Sequence, residues 1–151
     1  MKRGAPIQAF YGPAQLPVIE RAEGVYMWDS AGKRYLDGSS GPIVANIGHG
    51  NKRVLAALAA QAARVCFASR AVFENTPNRA LAERLVGLAG PAFDQAFIVS
   101  GGSEATEAAL KLARQYTVAI GAPDRWKVLS RMPSYHGASL GAVSVTGDPD
   151  S

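Results

Sequence analysis

A strand, a glycine turn and a helix follow one another directly at residues 96–116, and this succession constrains the fold more than any other part of the chain. The apolar run at residues 96–99 has the composition of a buried strand and ends at Gly101 and Gly102. Apolar residues then recur with the spacing of one helical face, at Ala105, Ala108, Ala109, Leu112 and Tyr116. The sequence therefore predicts a strand-to-helix junction at the two glycines.

This junction has the properties of an anion-binding turn. Glycines let the backbone approach a ligand closely, and the first N–H groups of a helix have no acceptor within the helix. Ser103 adds a hydroxyl that can donate to a phosphate, although ordinary helix capping explains the same residue. No P-loop lysine follows the glycines and no G-x-G-x-x-G is present, so a generic nucleotide-binding domain is disfavoured.

Composition is that of a globular protein and excludes some classes of partner. Of the 151 residues 48% are hydrophobic and 19% charged, which is enough apolar material for one core. The net charge of +4 comes from basic residues scattered among acidic ones, so no nucleic-acid partner is expected. The sequence shows neither a signal peptide nor an apolar stretch of membrane-spanning length, so we expect a cytoplasmic protein without a membrane partner. Cys66, the single cysteine, indicates a reducing compartment, has no second thiol for a metal site and is expected to pack in the core.

Ahead of the junction, irregular segments alternate with regular ones. Residues 2–15 are rich in glycine and proline and predict an irregular arm, whereas residues 24–37 predict a β-hairpin around an Asp-Ser-Ala-Gly turn. Residues 38–50 predict a glycine-rich loop. Within it, His49 is expected to be a hydrogen-bonded structural histidine rather than a ligand or a base.

Two helices are also predicted ahead of the junction. The first begins at Asn51 as its N-cap, and its apolar stripe should pack on a core. The second begins with Thr76 as the capping hydroxyl and Pro77 as the first helical residue, and it ends at Gly90.

After the junction helix, residues 126–130 predict another strand. Strand, helix and strand in succession predict a right-handed parallel crossover, which places the loop at residues 131–137 on the same sheet edge as the glycine turn. Tyr135 in this loop could stack on a ring of a small molecule bound there, or it is an ordinary surface aromatic. Residues 147–151 predict a turn.

Three ordered motifs resemble the N-terminal part of the class III aminotransferases, which are pyridoxal phosphate enzymes of fold type I. They are the hairpin with residues 38–41 and 46–50, the helix start at residues 100–105 with residues 111–114, and the loop at residues 135–137. The resemblance implies an α/β fold, a three-layer sandwich of a mostly parallel sheet flanked by helices. It further implies that residues 1–46 are an arm and hairpin of the small domain, and that residues 47–151 are the first part of an incomplete cofactor-binding large domain.

The resemblance implies pyridoxal 5'-phosphate as the cofactor and roles for individual residues. No metal site is expected. Gly102 and Ser103 would hold the phosphate through N–H and hydroxyl groups at the positive end of the helix dipole. Tyr135 would cover one face of the ring, and His136 would lie beside the cofactor. Gly101 departs from the family, in which asparagine or serine is common at this position.

The resemblance also assigns two residues to the substrate pocket and indicates that the catalytic lysine is missing from this stretch. Ile43 and Phe73 fall where the family lines its substrate pocket. No lysine matches the one that bonds covalently to the cofactor, since Lys111 lies on the helix after the turn and Lys127 opens a predicted strand. No residue of this stretch is therefore given a catalytic role.

The implied activity belongs to a larger protein. We expect an aminotransferase, a homodimer with its active site at the interface, that moves an amino group between an amine or ω-amino acid and a 2-oxo acid. The remainder of the enzyme would follow Ser151. Two alternatives stay open: a relative that decarboxylates or isomerises, and a truncated chain that serves only in binding or assembly.

Overall fold

The computed structural model describes residues 16–147. The predicted arm lies outside this range, as do residues 148–151 of the predicted terminal turn. The chain divides into two compact units, Met1–Ala68 and Ser69–Ser151. The first unit contains β1 (Ile19–Glu23), β2 (Tyr26–Asp29), β3 (Arg34–Leu36), α1 (Ser40–Ile43) and α2 (Lys52–Arg64). The second contains α3 (Thr76–Ala89), α4 (Gly102–Ala119) and α5 (Leu140–Ser144).

A three-stranded antiparallel sheet of order β1-β2-β3 organises the first unit. Its β2–β3 hairpin confirms the one predicted at residues 24–37, whereas β1 was not predicted. Asp29 fixes the turn, because its Oδ1 accepts the N–H groups of Ala31 at 3.0 Å and Lys33 at 2.9 Å. Its Oδ2 accepts the Tyr35 hydroxyl at 2.8 Å, which lowers the pKa of Asp29 and raises that of Tyr35.

The first turns of α2 and α3 are each capped by an asparagine side chain. The predicted cap of α2 is confirmed, since Asn51 Oδ1 accepts the N–H of Val54 at 3.2 Å. The predicted cap of α3 is wrong by one residue: Asn75, with extended backbone, accepts the N–H of Asn78 at 2.9 Å. Thr76 and Pro77 therefore lie inside the first turn. Gly90 ends α3 as predicted, with φ of 95°.

The expectation that the apolar stripes pack on a core is wrong for the described residues. Leu58 of α2 is 62% exposed and Leu88 of α3 is 75% exposed. Neither helix contacts another helix or strand of its own unit. Ala142 is the only hydrophobic residue within 16–147 that is buried, and Cys66 is exposed rather than packed. The stripes are exposed because no described element lies against them.

The predicted parallel sheet is also not formed by the described residues. The runs at residues 96–99 and 126–130 are unpaired segments, so neither the two strands nor the parallel crossover between them is present. A strand needs ladder hydrogen bonds to a neighbour, and no described strand lies beside either run. The described residues contain helices and a small antiparallel sheet, and they do not form the predicted sandwich.

Candidate functional site

The start of α4 is an uncapped helix N-terminus at the glycine turn. Gly101 is the N-cap and has extended backbone, and no side chain caps the helix. The N–H groups of the first turn therefore have no partner within the helix or from a cap. A Cβ placed on Gly102 would meet no heavy atom within 4 Å, so the space beside this turn is open. Free donors beside open space fit an anion such as phosphate.

One carboxylate lies near this turn. A Cβ added at Gly101 would lie 2.8 Å from Glu104 Oε2. The Glu104 side chain makes no ion pair or hydrogen bond within residues 16–147, and the residue is exposed. An arriving anion can therefore displace it by rotation about its side-chain bonds, without breaking a contact.

The loop at residues 134–138 lies directly against the start of α4. The N–H of Ala138 donates to Ser103 Oγ at 3.0 Å. Gly137 is buried with φ of 134°, and a Cβ there would lie 2.5 Å from Ser103 Oγ and 2.9 Å from the Cβ of Ala142. Only glycine fits this approach, because both the backbone angle and the space exclude a side chain. The structure thus brings Ser103 and the loop after Tyr135 together.

Two further side chains of α4, Thr106 and Glu107, bond to this loop and to the residues that follow it as far as Gly141. Thr106 Oγ1 donates to the carbonyl of His136 at 2.7 Å. Glu107 Oε1 accepts the Ser139 hydroxyl and the N–H of Gly141, both at 2.8 Å. The Ser139 hydroxyl first, and the N–H of Gly141 second, lower the pKa of Glu107 below its ordinary value of 4.5.

The sequence reasoning missed Thr106 and Glu107, although a signal for them existed. They lie three and four residues after Ser103, the two spacings that place side chains on one helical face. A polar face beginning at the predicted phosphate-binding serine could have been recognised as the face that a neighbouring loop contacts.

Tyr135 and His136 combine exposed side chains with a fixed backbone. The Tyr135 side chain makes no hydrogen bond within the described residues, and the residue is 75% exposed. The next backbone unit is held on both sides: the N–H of His136 donates to Thr146 Oγ1 at 3.1 Å, and its carbonyl accepts from Thr106. The aromatic face of Tyr135 is therefore free to contact a ligand while its attachment point is anchored.

In the first unit, His49 is a structural residue, as predicted. Its Nε2 lies 2.7 Å from Asp37 Oδ2, and its backbone exchanges two hydrogen bonds with Gly24. The pair ties the hairpin to the glycine-rich loop. Beside it lies an open cavity of about 410 Å³, lined by Asp37, Ile43 and Gly48 among others.

The two predicted pocket residues are both exposed. Ile43 lies at the end of α1, 75% exposed and with φ of 63°, a conformation that costs a β-branched residue free energy. Phe73, in the second unit, is 64% exposed. Their assignment to a substrate pocket stays a prediction.

The described residues 16–147 contain neither a metal-binding cluster nor a membrane-spanning helix. No group of three or more His, Cys, Asp or Glu side chains there could hold a metal ion. No helix in that range is both long and apolar enough to cross a membrane.

Comparison with known proteins gives consistent matches over nearly the whole chain. The family model for class III aminotransferases matches residues 10–151. An uncharacterized aminotransferase of Bacillus subtilis, YodT, is 43% identical over 131 residues, which is 87% of this chain and 30% of that protein.

Comparison with solved structures gives matches of the same kind. An (S)-enantioselective omega-transaminase from Thermomicrobium roseum superposes with a TM-score of 0.90 at 40% identity, covering 97% of this chain and 34% of that one. A PLP-bound amine transaminase from an uncultivated Pseudomonas species gives 0.85 at 38% identity, with 98% and 34% covered. The chain thus spans about a third of the length of these relatives.

Proposed function

The chain belongs to the class III aminotransferase family, and we propose that it is the part of a pyridoxal-phosphate-dependent aminotransferase that holds the cofactor phosphate and covers its ring. The whole enzyme would move an amino group between an amine or ω-amino acid and a 2-oxo acid. The omega-transaminase and amine transaminase among the similar structures support this substrate class.

One observation carries the proposal: the uncapped start of α4 lies under a loop that bonds to Ser103. Pyridoxal phosphate, when bound, supplies an electron sink for the transfer. The N–H groups of Gly102 and Ser103 would donate to its phosphate, with the positive end of the helix dipole behind them. A serine hydroxyl has two lone pairs and one proton. Because Ser103 Oγ already accepts from Ala138, its proton remains free for a phosphate oxygen.

Tyr135 would cover one face of the cofactor ring, with His136 beside it. The exposed aromatic side chain and the anchored backbone that follows it support this assignment. Stacking needs a flat, unoccupied aromatic face, and an anchored backbone reduces the conformational freedom that is lost on binding.

We further propose that the apolar faces pack against the remainder of the same enzyme, and that the enzyme is a homodimer with its active site at the interface. An apolar groove of about 600 Å³ lies between residues 95–97 and α4, lined by Phe97, Ala108 and Leu112 among others. Such exposed apolar surface marks an interaction site in a folded protein. In this arrangement, Ile43 and Phe73 would contribute to the substrate pocket.

The test uses the native protein, meaning the product of the gene that encodes this chain. The apoprotein is titrated with pyridoxal phosphate and, in parallel, with pyridoxal, which lacks the phosphate. Ser103→Ala removes one hydrogen bond to a charged group, so the affinity for pyridoxal phosphate should fall about 10- to 100-fold. The affinity for pyridoxal should fall much less, because Thr106 and Glu107 still hold the loop that carries Tyr135.

Thr117→Ala is the matched control. Thr117 lies on the same helix about four turns after Ser103, and its hydroxyl bonds only to the carbonyl of Arg114. It should bind both compounds as the wild type does. A native protein that takes up no pyridoxal phosphate would refute the proposal. An equal loss for both compounds in Ser103→Ala would refute the phosphate-binding role of this turn.

A further inference from the structure

We propose that Thr106 and Glu107 are positioning residues that tether the loop at residues 134–141 to the start of α4, and thereby set the Ser103 hydroxyl and Tyr135 for the cofactor. This inference rests on the proposed function. It adds two residues that would touch neither the phosphate nor the ring, but control the segment that joins the phosphate turn to Tyr135.

The tether uses one face of a single helix. Thr106 and Glu107 lie three and four residues after Ser103, so both side chains project on the same side of α4 as that of Ser103. All three contact the loop: Ser103 at Ala138, Thr106 at the His136 carbonyl, and Glu107 at Ser139 and Gly141. The loop is thus held at successive points along its length.

Thr106 provides the first point. Its hydroxyl lies 2.7 Å from the carbonyl of His136 and 3.2 Å from that of Gly102. The single hydroxyl proton of Thr106 has two possible acceptors, and the shorter distance favours the His136 carbonyl of the loop. The bond therefore joins the residue after Tyr135 to the turn that would hold the phosphate.

Glu107 provides the second point. Its Oε1 accepts from two donors at the beginning of α5, the Ser139 hydroxyl and the N–H of Gly141. The contact is close, because a side chain at Gly141 would collide with the Glu107 carboxylate. Hydrogen bonds to an ionised acceptor are stronger than neutral ones, so this point is the firmer of the two.

The consequence concerns the proton of Ser103. With the loop in place, the N–H of Ala138 occupies one lone pair of Ser103 Oγ and leaves the proton for an external acceptor. Without the tether, Ala138 withdraws, and no contact then fixes the direction of the Ser103 hydroxyl. The same displacement moves the backbone that carries Tyr135.

Paired substitutions in the native protein test this inference. Thr106→Val keeps the shape of the side chain but removes the hydroxyl, whereas Thr106→Ser restores it. Glu107→Ala removes the acceptor, whereas Glu107→Gln keeps one oxygen for both donors. Thr106→Val should weaken pyridoxal phosphate binding about three- to tenfold, the effect of one hydrogen bond. Glu107→Ala should weaken it too. Thr106→Ser should bind as the wild type does, and Glu107→Gln, whose neutral amide oxygen accepts more weakly, should bind more tightly than Glu107→Ala.

A second readout separates positioning from general stability. The visible circular dichroism of the bound cofactor reports its asymmetric surroundings, so it should diminish in Thr106→Val and Glu107→Ala and recover in the conservative variants. Wild-type affinity and dichroism in both Thr106→Val and Glu107→Ala would overturn the inference, as would a loss that Thr106→Ser fails to restore. If Thr106→Val does not fold, the Glu107 pair decides by the same criteria. Failure of the wild type to take up pyridoxal phosphate would instead overturn the proposed function.

Discussion

Replacing Gly137 by alanine tests the close approach between the loop and α4. The added methyl group would lie 2.5 Å from Ser103 Oγ and 2.9 Å from both the Ser103 Cα and the Ala142 Cβ. Two of these three neighbours belong to α4, so the clash cannot be relieved by turning a long side chain. The loop has to move away from the helix.

The free energy by which Gly137→Ala destabilises the docked loop is the sum of two separate costs. Overpacking by one methyl group costs about 1–3 kcal/mol. A side chain at φ of 134° adds about 1–3 kcal/mol of backbone strain. Together they destabilise the docked loop by about 2–6 kcal/mol, and 2 kcal/mol already corresponds to about a thirtyfold larger open population.

Amide hydrogen exchange of the native protein measures this opening without any ligand. In Gly137→Ala, the amide of Ala138 should exchange at least about thirtyfold faster, because it loses Ser103 Oγ as its acceptor. Gly121→Ala is the matched control: its φ is 74°, but an added Cβ would meet nothing within 4 Å. It carries backbone strain without the clash and should leave the loop unchanged. Wild-type exchange at Ala138 in Gly137→Ala would refute the close packing.

Three further predictions concern single contacts. Ser139→Ala should raise the pKa of Glu107 toward 4.5 in an NMR titration, because it removes a hydroxyl that donates to this carboxylate. In the wild type, the ionised Glu107 makes its full contribution to folding stability above pH 4.5, and this contribution is lost as the pH falls through the lowered pKa. Tyr35→Phe should raise the pKa of Asp29 toward 3.8 in the same type of titration, because it removes the hydroxyl bonded to that carboxylate. Asn75→Ala should cost about 1 kcal/mol of unfolding free energy, measured by chemical denaturation, because α3 loses its cap.

The parts of the fold that could be predicted from the sequence have local causes. The Asp29 turn, the cap at Asn51 and the helix end at Gly90 each depend on residues within a few positions of one another. The error at Thr76 is of the same local kind: two adjacent residues can both cap, and the asparagine does so. Such features can be predicted without knowing what packs against them.

The remaining features depend on residues distant in sequence. The runs at residues 96–99 and 126–130 have strand composition, but a strand forms only beside a partner, and composition does not identify the partner. In the candidate site, the glycine turn was predictable from its own residues. The bond from Ala138 to Ser103 spans 35 positions and that from Ser139 to Glu107 spans 32, so no local pattern specified them.

Local contacts alone also account for little of the stability of α2 and α3. They have 13 and 14 residues, close to the length of about 12–15 residues at which an isolated helix is only marginal in water. Each has one capping bond, worth about 1 kcal/mol, and neither packs on an element of its own unit. Packing of an amphipathic face supplies most helix stability in proteins. We therefore infer that the stripes containing Leu58 and Leu88 are buried in the native protein by surfaces beyond each helix's own described unit.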